Sequence, residues 1–335
     1  MTAKRLKHIV KSKEFLLALI AAIVIVVFRL INVHFLSPGA LSGKMQDMSI
    51  TGIIAIGMGI LLISGDIDLS TSDVCLFSGV LCALLIKAGI PWGYAMVITL
   101  VAGGCIGAIS SFLVLKVRMM SFIATIAVGT VLRGVTLSLT SAQNVPVPVE
   151  SFWWGGRTFW GVLPIPFVIM AVLMILYQFM LSYTRFGRNI YLIGGNITAA
   201  RLTGVNPNKI RTALFINSGV LASLAGIVLV SRLQSANPNT LAEHQINALT
   251  AIILGGIAFT GGAGGMVGCF IGVVLFSFFT SGLTSLALDA YWTLFASGGL
   301  LIIALTVDYF NERSREKMLK AHAKITADEI KADGI

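Results

Sequence analysis

The sequence predicts an all-α integral membrane protein of about ten transmembrane helices, and three observations carry that reading. Hydrophobic residues make up 56% of the 335-residue chain and charged residues 11%, a balance outside the range of soluble domains. Apolar runs of membrane-spanning length recur from end to end. The net charge of +10 sits on Lys and Arg clustered between those runs, a distribution that reads as membrane topology rather than as a nucleic-acid face. The same arithmetic excludes a disordered chain and a disulfide-stapled secreted domain. Cys75, Cys82, Cys105 and Cys269 all fall inside apolar stretches, with no CxxC spacing and no neighbouring histidine. They read as small packing residues, and no metal site is expected.

In chain order the candidate spans are 15–33, 49–64, 74–86, 92–115, 121–140, 163–181, 213–231, 247–259, 266–286 and 291–307. Seven are regular. The runs 49–64 and 74–86 are short and flank a polar segment, and 247–259 runs into a glycine cluster, so hydropathy alone allows eight to ten. The positive-inside rule selects ten. Ten spans place Lys4, Arg5, Lys7, Lys11 and Lys13 on the same side as Lys116 and Arg118, the central loop with Arg185, Arg188, Arg201, Lys209 and Arg211, and the tail with Arg313, Arg315, Lys317 and Lys320. Both termini are then cytoplasmic. The opposite side receives 34–47, 142–162 and 233–246, the second carrying Trp153, Trp154 and Trp160 as an interfacial belt would. The expected organisation is a cytoplasmic stretch 1–14, one transmembrane domain 15–309 with a cytoplasmic loop 183–211, and a cytoplasmic tail 310–335. The first apolar run reads as a span and not a signal peptide, because it is long and Arg29 and Asn32 follow with no small-residue cleavage pattern.

Backbone inside a bilayer must satisfy its own hydrogen bonds, so interruptions of apolar runs mark packed or cavity-lining positions. Discontinuous helices are expected near 64–73, around Ser64-Gly65-Asp66-Ile67-Asp68-Leu69-Ser70, and near 255–265, around Gly255-Gly256 and Thr260-Gly261-Gly262-Ala263-Gly264-Gly265. Each holds a hydroxyl residue followed by glycine, a hint of an internal repeat. Asp66 and Asp68 have two readings. They cap the half helix that begins near Ser70 or Thr71, or they line a transport path, since an intramembrane carboxylate is costly without a use. No histidine lies near either in sequence to support a proton relay. The glycine cluster lacks the GxxxxGK[ST] pattern, which occurs nowhere in the chain, so no nucleotide site is visible. Gly268 and Gly272 instead have the small-xxx-small spacing of close helix packing.

The loop 183–211 is long, basic and patterned. Gly194-Gly195-Asn196 predicts a turn whose Asn caps a short helix, Ala199-Ala200-Arg201-Leu202-Thr203, stopped by Gly204; Asn206-Pro207 predicts the start of the next helix. A helix that short is unstable alone in water and is expected to pack on something, the alternative being a plain loop whose charges only fix topology.

These residues resemble the permease subunits of bacterial ABC importers for ribose and related simple sugars, a group that includes the autoinducer-2 permeases. The resemblance runs over nearly the full length. It is carried by Ile63 through Ser70, by Phe122-Ile123-Ala124-Thr125, by Thr184 to Arg188 continuing through Gly194-Gly195-Asn196, Ala199-Ala200-Arg201-Leu202 and Gly204-Val205, and by Ala251 to Gly256 with Gly261-Gly262-Ala263-Gly264. Asp66 and Ser72 stand where glycines are usual, Met120 and Ser121 replace usual prolines, and Gln245 and Asn247 replace a usual acidic pair, all near the broken helices.

The resemblance implies a non-enzymatic subunit of an ATP-driven importer, moving a sugar or sugar-like solute across the bacterial inner membrane by alternating access. It implies a second permease copy or paralogue, two ATP-binding subunits carrying ATP and Mg, and an extracytoplasmic binding protein, with no cofactor on this chain. It also implies that Gly195, Asn196, Ala199, Ala200, Arg201, Leu202 and Gly204 form the element that couples to the ATPase. Candidate substrate-path residues are Ser64, Asp66, Asp68, Asn247 and Thr260. An ion-gradient-driven secondary transporter is the rival reading, since broken helices with polar residues suit it too. A membrane-embedded enzyme has no support, because His8, His34, His244 and His322 are scattered away from any nucleophile in sequence.

Overall fold

A computed structural model describes residues 13–240, 244–286 and 291–310 together with Arg313. The basic residues of 1–12 and the tail beyond Arg313 therefore lie outside the described residues. The described chain is almost wholly helical: α1 (Lys13–Ile31), α2 (Pro38–Ile63), α3 (Thr71–Lys87), α4 (Trp92–Leu115), α5 (Ser121–Thr140), α6 (Ile165–Tyr183), α7 (Arg185–Gly195), α8 (Ile197–Leu202), α9 (Pro207–Leu233), α10 (His244–Leu254), α11 (Met266–Ser285) and α12 (Tyr291–Phe310). Eight of these helices are long and apolar enough to cross a membrane. Of the two remaining expected spans, α3 has 17 residues and α10 has 11.

The second run begins earlier than hydropathy indicates. Helix α2 starts at Pro38 and not near residue 49, so Lys44 and Asp47 lie on a helix instead of in a loop. Each charge has a local partner that permits this. Lys44 donates Nζ to the Phe35 carbonyl at 2.8 Å and sits 4.1 Å from the Phe35 ring centroid, while Asp47 pairs with Arg232. A hydropathy window counts such charges as breaks because it weighs composition and not contacts, and Arg232 follows Asp47 by 185 residues.

Helices α2 and α9 form the centre. Every residue from Met48 to Ile63 is buried, and α9 packs on α2, α3 and α4. Small residues allow these approaches. A Cβ at Gly219 of α9 would meet the Gly103 carbonyl of α4 at 2.2 Å, and one at Gly226 would meet the Cys75 carbonyl of α3 at 2.1 Å. The expected pair Gly268 and Gly272 works in the same way against α10: a Cβ at either would lie 2.1 Å from a carbonyl, of Gly255 and Ala251 respectively. The outer helices α1, α5, α6 and α12 present Leu16, Ile23, Leu30, Val131, Ile175, Phe179, Phe295 and Ile302 outward. An apolar surface this extensive suits lipid contact and would be a liability in water.

Chain direction alternates, so α7, α8 and the connections 64–70 and 255–265 gather at one end of the bundle. At the other end, β1 (Val145–Pro146) pairs antiparallel with β4 (Ser235–Ala236), and the small hairpin of β2 (Thr158–Phe159) with β3 (Leu163–Pro164) leads into α6. Ser231 near the end of α9 anchors this cover, donating to the Phe152 carbonyl and accepting from Gly155 N at 2.8 Å.

Candidate functional site

The two expected interruptions are present, and both begin with the same backbone device. At the end of α2, Gly65 adopts φ +88° and Asp66 N reaches back to the Leu61 carbonyl at 3.1 Å. At the end of α10, Gly256 adopts φ +82° and Ile257 N reaches the Ile252 carbonyl at 3.2 Å. Both are helix stops closed by a left-handed glycine. The structural equivalent of Ser64-Gly65 is therefore Gly255-Gly256, not the Thr260-Gly261 pair that sequence similarity indicates.

After its stop, the first connection runs as irregular, largely buried backbone before α3 begins. Its amides find hydroxyls on α5: Ile67 N donates to Ser121 Oγ at 3.3 Å and Leu69 N to Thr125 Oγ1 at 3.1 Å. Irregular backbone within a membrane protein is tolerated when neighbouring side chains complete its hydrogen bonds in this way. Asp66 is buried and holds Arg211 of α9 in a bidentate pair, Nε to Oδ2 at 2.5 Å and Nη2 to Oδ1 at 2.6 Å. Asp68, also buried, accepts from Ser70 N at 3.0 Å, Ser70 Oγ at 2.5 Å and Ser218 Oγ of α9 at 2.7 Å. Thus Asp68 serves a backbone amide at the entrance of α3 and also reaches α9 through Ser218, whereas Asp66 pairs with the Arg211 guanidinium of α9. Ser64 is buried and donates to the Leu61 carbonyl at 2.7 Å.

The second connection folds over the first, and the basic loop locks onto both. Gly262 N donates to the Ile63 carbonyl at 2.8 Å. Gly194, in the last turn of α7, fits so closely that a Cβ there would lie 1.9 Å from the Ile63 carbonyl oxygen and 2.6 Å from Gly262 N. Tyr191 of the same helix donates its hydroxyl to the Gly264 carbonyl at 2.7 Å, and burial pushes the pKa of that hydroxyl up, keeping the donor protonated. Phe259 N is held by Asp308 of α12 at 3.1 Å. Glycine is required at 194 by contact and not by backbone angle, so three chain segments meet backbone to backbone. We refer to this arrangement as the clasp. Thr260 lies on its exposed rim.

Helix α7 is absent from the sequence reading, which takes Gly194-Gly195 for a turn. Thr184 Oγ1 caps it through Gly187 N at 3.0 Å, and the glycines close the helix against the clasp. The expected short helix follows as α8. Asn196 Oδ1 accepts from Thr198 N at 2.9 Å and Ala199 N at 3.0 Å, Ala200 is buried, and Gly204 at φ +81° stops it. Asn206 then caps α9 through Lys209 N at 3.2 Å. Arg201 is exposed, and Leu202 is 85% exposed, an apolar side chain presented outside the bundle. A groove beside it is lined by Arg188, Tyr191, Leu192, Gly195, Asn196 and Ala199.

Asn247 stands apart from the other four candidate path residues. It lines a cleft of about 270 Å³ that starts near the middle of α2 and runs toward the end opposite the clasp, bounded by α2, α10 and α11. The candidates therefore fall into two places, Ser64, Asp66, Asp68 and Thr260 at the clasp and Asn247 in the cleft. Sequence reasoning missed Arg211 and Ser218 as partners of the carboxylates, because they follow 145 and 150 residues later. Arg211 was legible only as a topology charge.

A polytopic helical protein with irregular, glycine-built connections and a structured basic loop defines a membrane permease. The family described as "Branched-chain amino acid transport system / permease component" matches residues 40–305. The chain belongs to this family of transport permeases. It is 34% identical over 301 residues to "Ribose import permease protein RbsC" of Escherichia coli (strain K12), covering 89% of this chain and 93% of that one. It is also 32% identical to the RbsC of Bacillus subtilis (strain 168), over 85% of this chain and 89% of that one. The L-arabinose ABC transporter permease protein AraH of Azospirillum brasilense is 29% identical over 85% and 84% of the two chains. Among solved structures, "An inward-facing conformation of a putative metal-chelate type ABC transporter" aligns with a TM-score of 0.52 at 14% identity, covering 88% of this chain and 98% of that one. That likeness shows the fold. The chain is a multi-pass membrane transport subunit.

Proposed function

We propose that this chain carries a sugar or sugar-like polar solute as the membrane-spanning subunit of an ATP-driven importer. A second permease, two ATP-hydrolysing subunits with Mg, and an extracytoplasmic binding protein complete the assembly, and both termini and the basic loop face the cytoplasm. The observation that carries this reading is the pairing of an outward-facing α8 with an inward-facing clasp: one short loop offers Arg201 and Leu202 to a partner while Gly194 packs on the end of α2 and Tyr191 holds the 255–265 connection that follows α10. An element pushed by an ATPase at α8 has a rigid connection to the helices that bound the cleft. Gly195, Asn196, Ala199, Ala200, Arg201, Leu202 and Gly204 form that contact. The relatives named for ribose and arabinose import support a simple sugar over an amino acid as cargo. Of the candidate path residues, Asn247 has the best access; Ser64, Asp66, Asp68 and Thr260 belong to the moving junction that opens and closes the path.

The test is recovery of the tagged chain from membranes with an ATPase assay on its companions, comparing wild type with Arg201→Glu. The expected result is an ATP-hydrolysing partner with wild type, lost together with uptake in the variant while membrane insertion is kept. Recovery of the chain alone, active in liposomes with only an ion gradient, would establish a secondary transporter instead.

A further inference from the structure

The cleft bounded by α2, α10 and α11 has a composition unlike the other surfaces of the bundle. Its walls carry Thr51, Asn247, Ser277, Thr280, Ser281 and Thr284, with Phe276 at the same wall and Asp47 and His244 beside them. Five hydroxyls and one amide in so small a space form an unusual set for the interior of an apolar bundle. Their hydrogen-bonding state indicates what they can take. Thr280 and Thr284 donate to carbonyls one turn back in α11, at 3.0 Å and 3.3 Å, which leaves their oxygens as acceptors. The side chains of Asn247, Ser277 and Ser281 have no hydrogen-bond partner among the described residues. Thr51 Oγ1 and His244 Nδ1 stand 3.5 Å apart, at the long limit of a hydrogen bond, so neither is fully used.

Charge narrows the class further. Among the described residues no Lys or Arg lines the cleft, and the carboxylate there, Asp47, is paired with Arg232 at 2.5 Å. An anion finds no free cation there, and a cation finds a carboxylate already neutralised. A neutral molecule with many hydroxyls matches a wall of mixed donors and acceptors, because each of its groups is both. The volume of about 270 Å³ lies just below the usual range for drug-sized ligands and suits a single sugar ring.

We propose that this cleft is a weak binding station for a neutral monosaccharide or similar polyol within one permease subunit, with Asn247, Thr280 and Ser281 as its principal contacts. The proposal rests on the importer reading above and adds to it the place and the residues. Weak binding follows from a set built of hydroxyls and one amide with no free charge: hydrogen bonds exchanged with water contribute little net affinity each, which suits a site that must release its occupant.

Two measurements on the assembled transporter in proteoliposomes test the proposal, with D-ribose, L-arabinose and D-xylose as probes and binding protein and ATP supplied. First, Asn247→Leu is expected to lower uptake of the transported sugar by about tenfold, the loss of one to two ligand hydrogen bonds, with Asn247→Gln recovering part of it. Equal uptake by wild type and Asn247→Leu would overturn the station while leaving the importer reading standing; a wild-type assembly that transports no probe with ATP would count against the importer reading itself. Second, should Asn247→Leu fail to assemble, Ser281→Cys in a Cys105→Ser background is labelled with a membrane-impermeant thiol reagent. Millimolar transported sugar is expected to slow labelling severalfold, and a rate indifferent to sugar overturns the proposal.

Discussion

The two ends of this permease solve opposite problems with the same small residues. At the clasp, the two buried carboxylates are fully paired, the backbones of three segments touch, and no side chain fits between them: Asp66 is held by Arg211, Asp68 by Ser70 and Ser218, and Gly262 N by the Ile63 carbonyl against which Gly194 packs. In the cleft, hydroxyls line open space, and the side chains of Ser277 and Ser281, like that of Asn247, have no hydrogen-bond partner among the described residues. The difference teaches that complete pairing assigns the two carboxylates to structure, whereas an accessible wall of incompletely paired side chains is free to bind. By that criterion the aspartates, the most conspicuous residues in the sequence, belong to the junction, and the plain Ser and Thr of α11 belong to the cargo.

The comparison breaks most severely at Gly194. A side chain there must displace the Ile63 carbonyl or Gly262, both backbone, so Gly194→Val is expected to abolish uptake and to lower the thermal midpoint of the detergent-solubilised protein by well over 5 °C, read by a thermal shift assay. Next is Asp66→Asn, which leaves Arg211 inside without its charge partner. A broken buried pair costs about 3–5 kcal/mol, and the 19% exposure of Arg211 brings this to about 2–3 kcal/mol. The double variant Asp66→Asn with Arg211→Met is expected to regain much of that loss, which separates a structural pair from a carboxylate needed for its charge. Ser218→Ala removes one of three hydrogen bonds to Asp68 and should cost about 1–2 kcal/mol, measurable in the same assay. The smallest effect is at Asn196→Ala, where loss of the cap on α8 costs about 1 kcal/mol locally and is expected to appear as faster amide exchange at Thr198 and Ala199, with the thermal midpoint almost unmoved.

Much of this architecture was legible in the sequence because it is written locally. The apolar runs, the interruptions near 64–73 and 255–265, and the caps Asn196 and Asn206 depend on residues within a few positions of one another. What was not legible depends on contacts between distant segments. Helix α2 extends back to Pro38 because Phe35 and Arg232 receive Lys44 and Asp47, and no window of sequence holds both partners. Helix α7 ends in two glycines that resemble a turn, and only the nearness of Ile63 and Gly262 explains why glycine is there. The cleft was represented by Asn247 alone, since Ser277, Thr280, Ser281 and Thr284 sit within a regular span and share a wall only once α11 packs beside α2 and α10.

The central claim is that motion imposed on α8 passes through the clasp to the cleft. The direct measurement is the rate at which a membrane-impermeant thiol reagent labels Ser281→Cys in a Cys105→Ser background, in membranes that also hold the ATP-binding subunits, with and without a non-hydrolysable ATP analogue, in the chain with Arg201 intact and in Arg201→Glu. The account predicts a severalfold change in rate on adding the nucleotide to the first and none in the second. The same change in both, or no change in either, would contradict it.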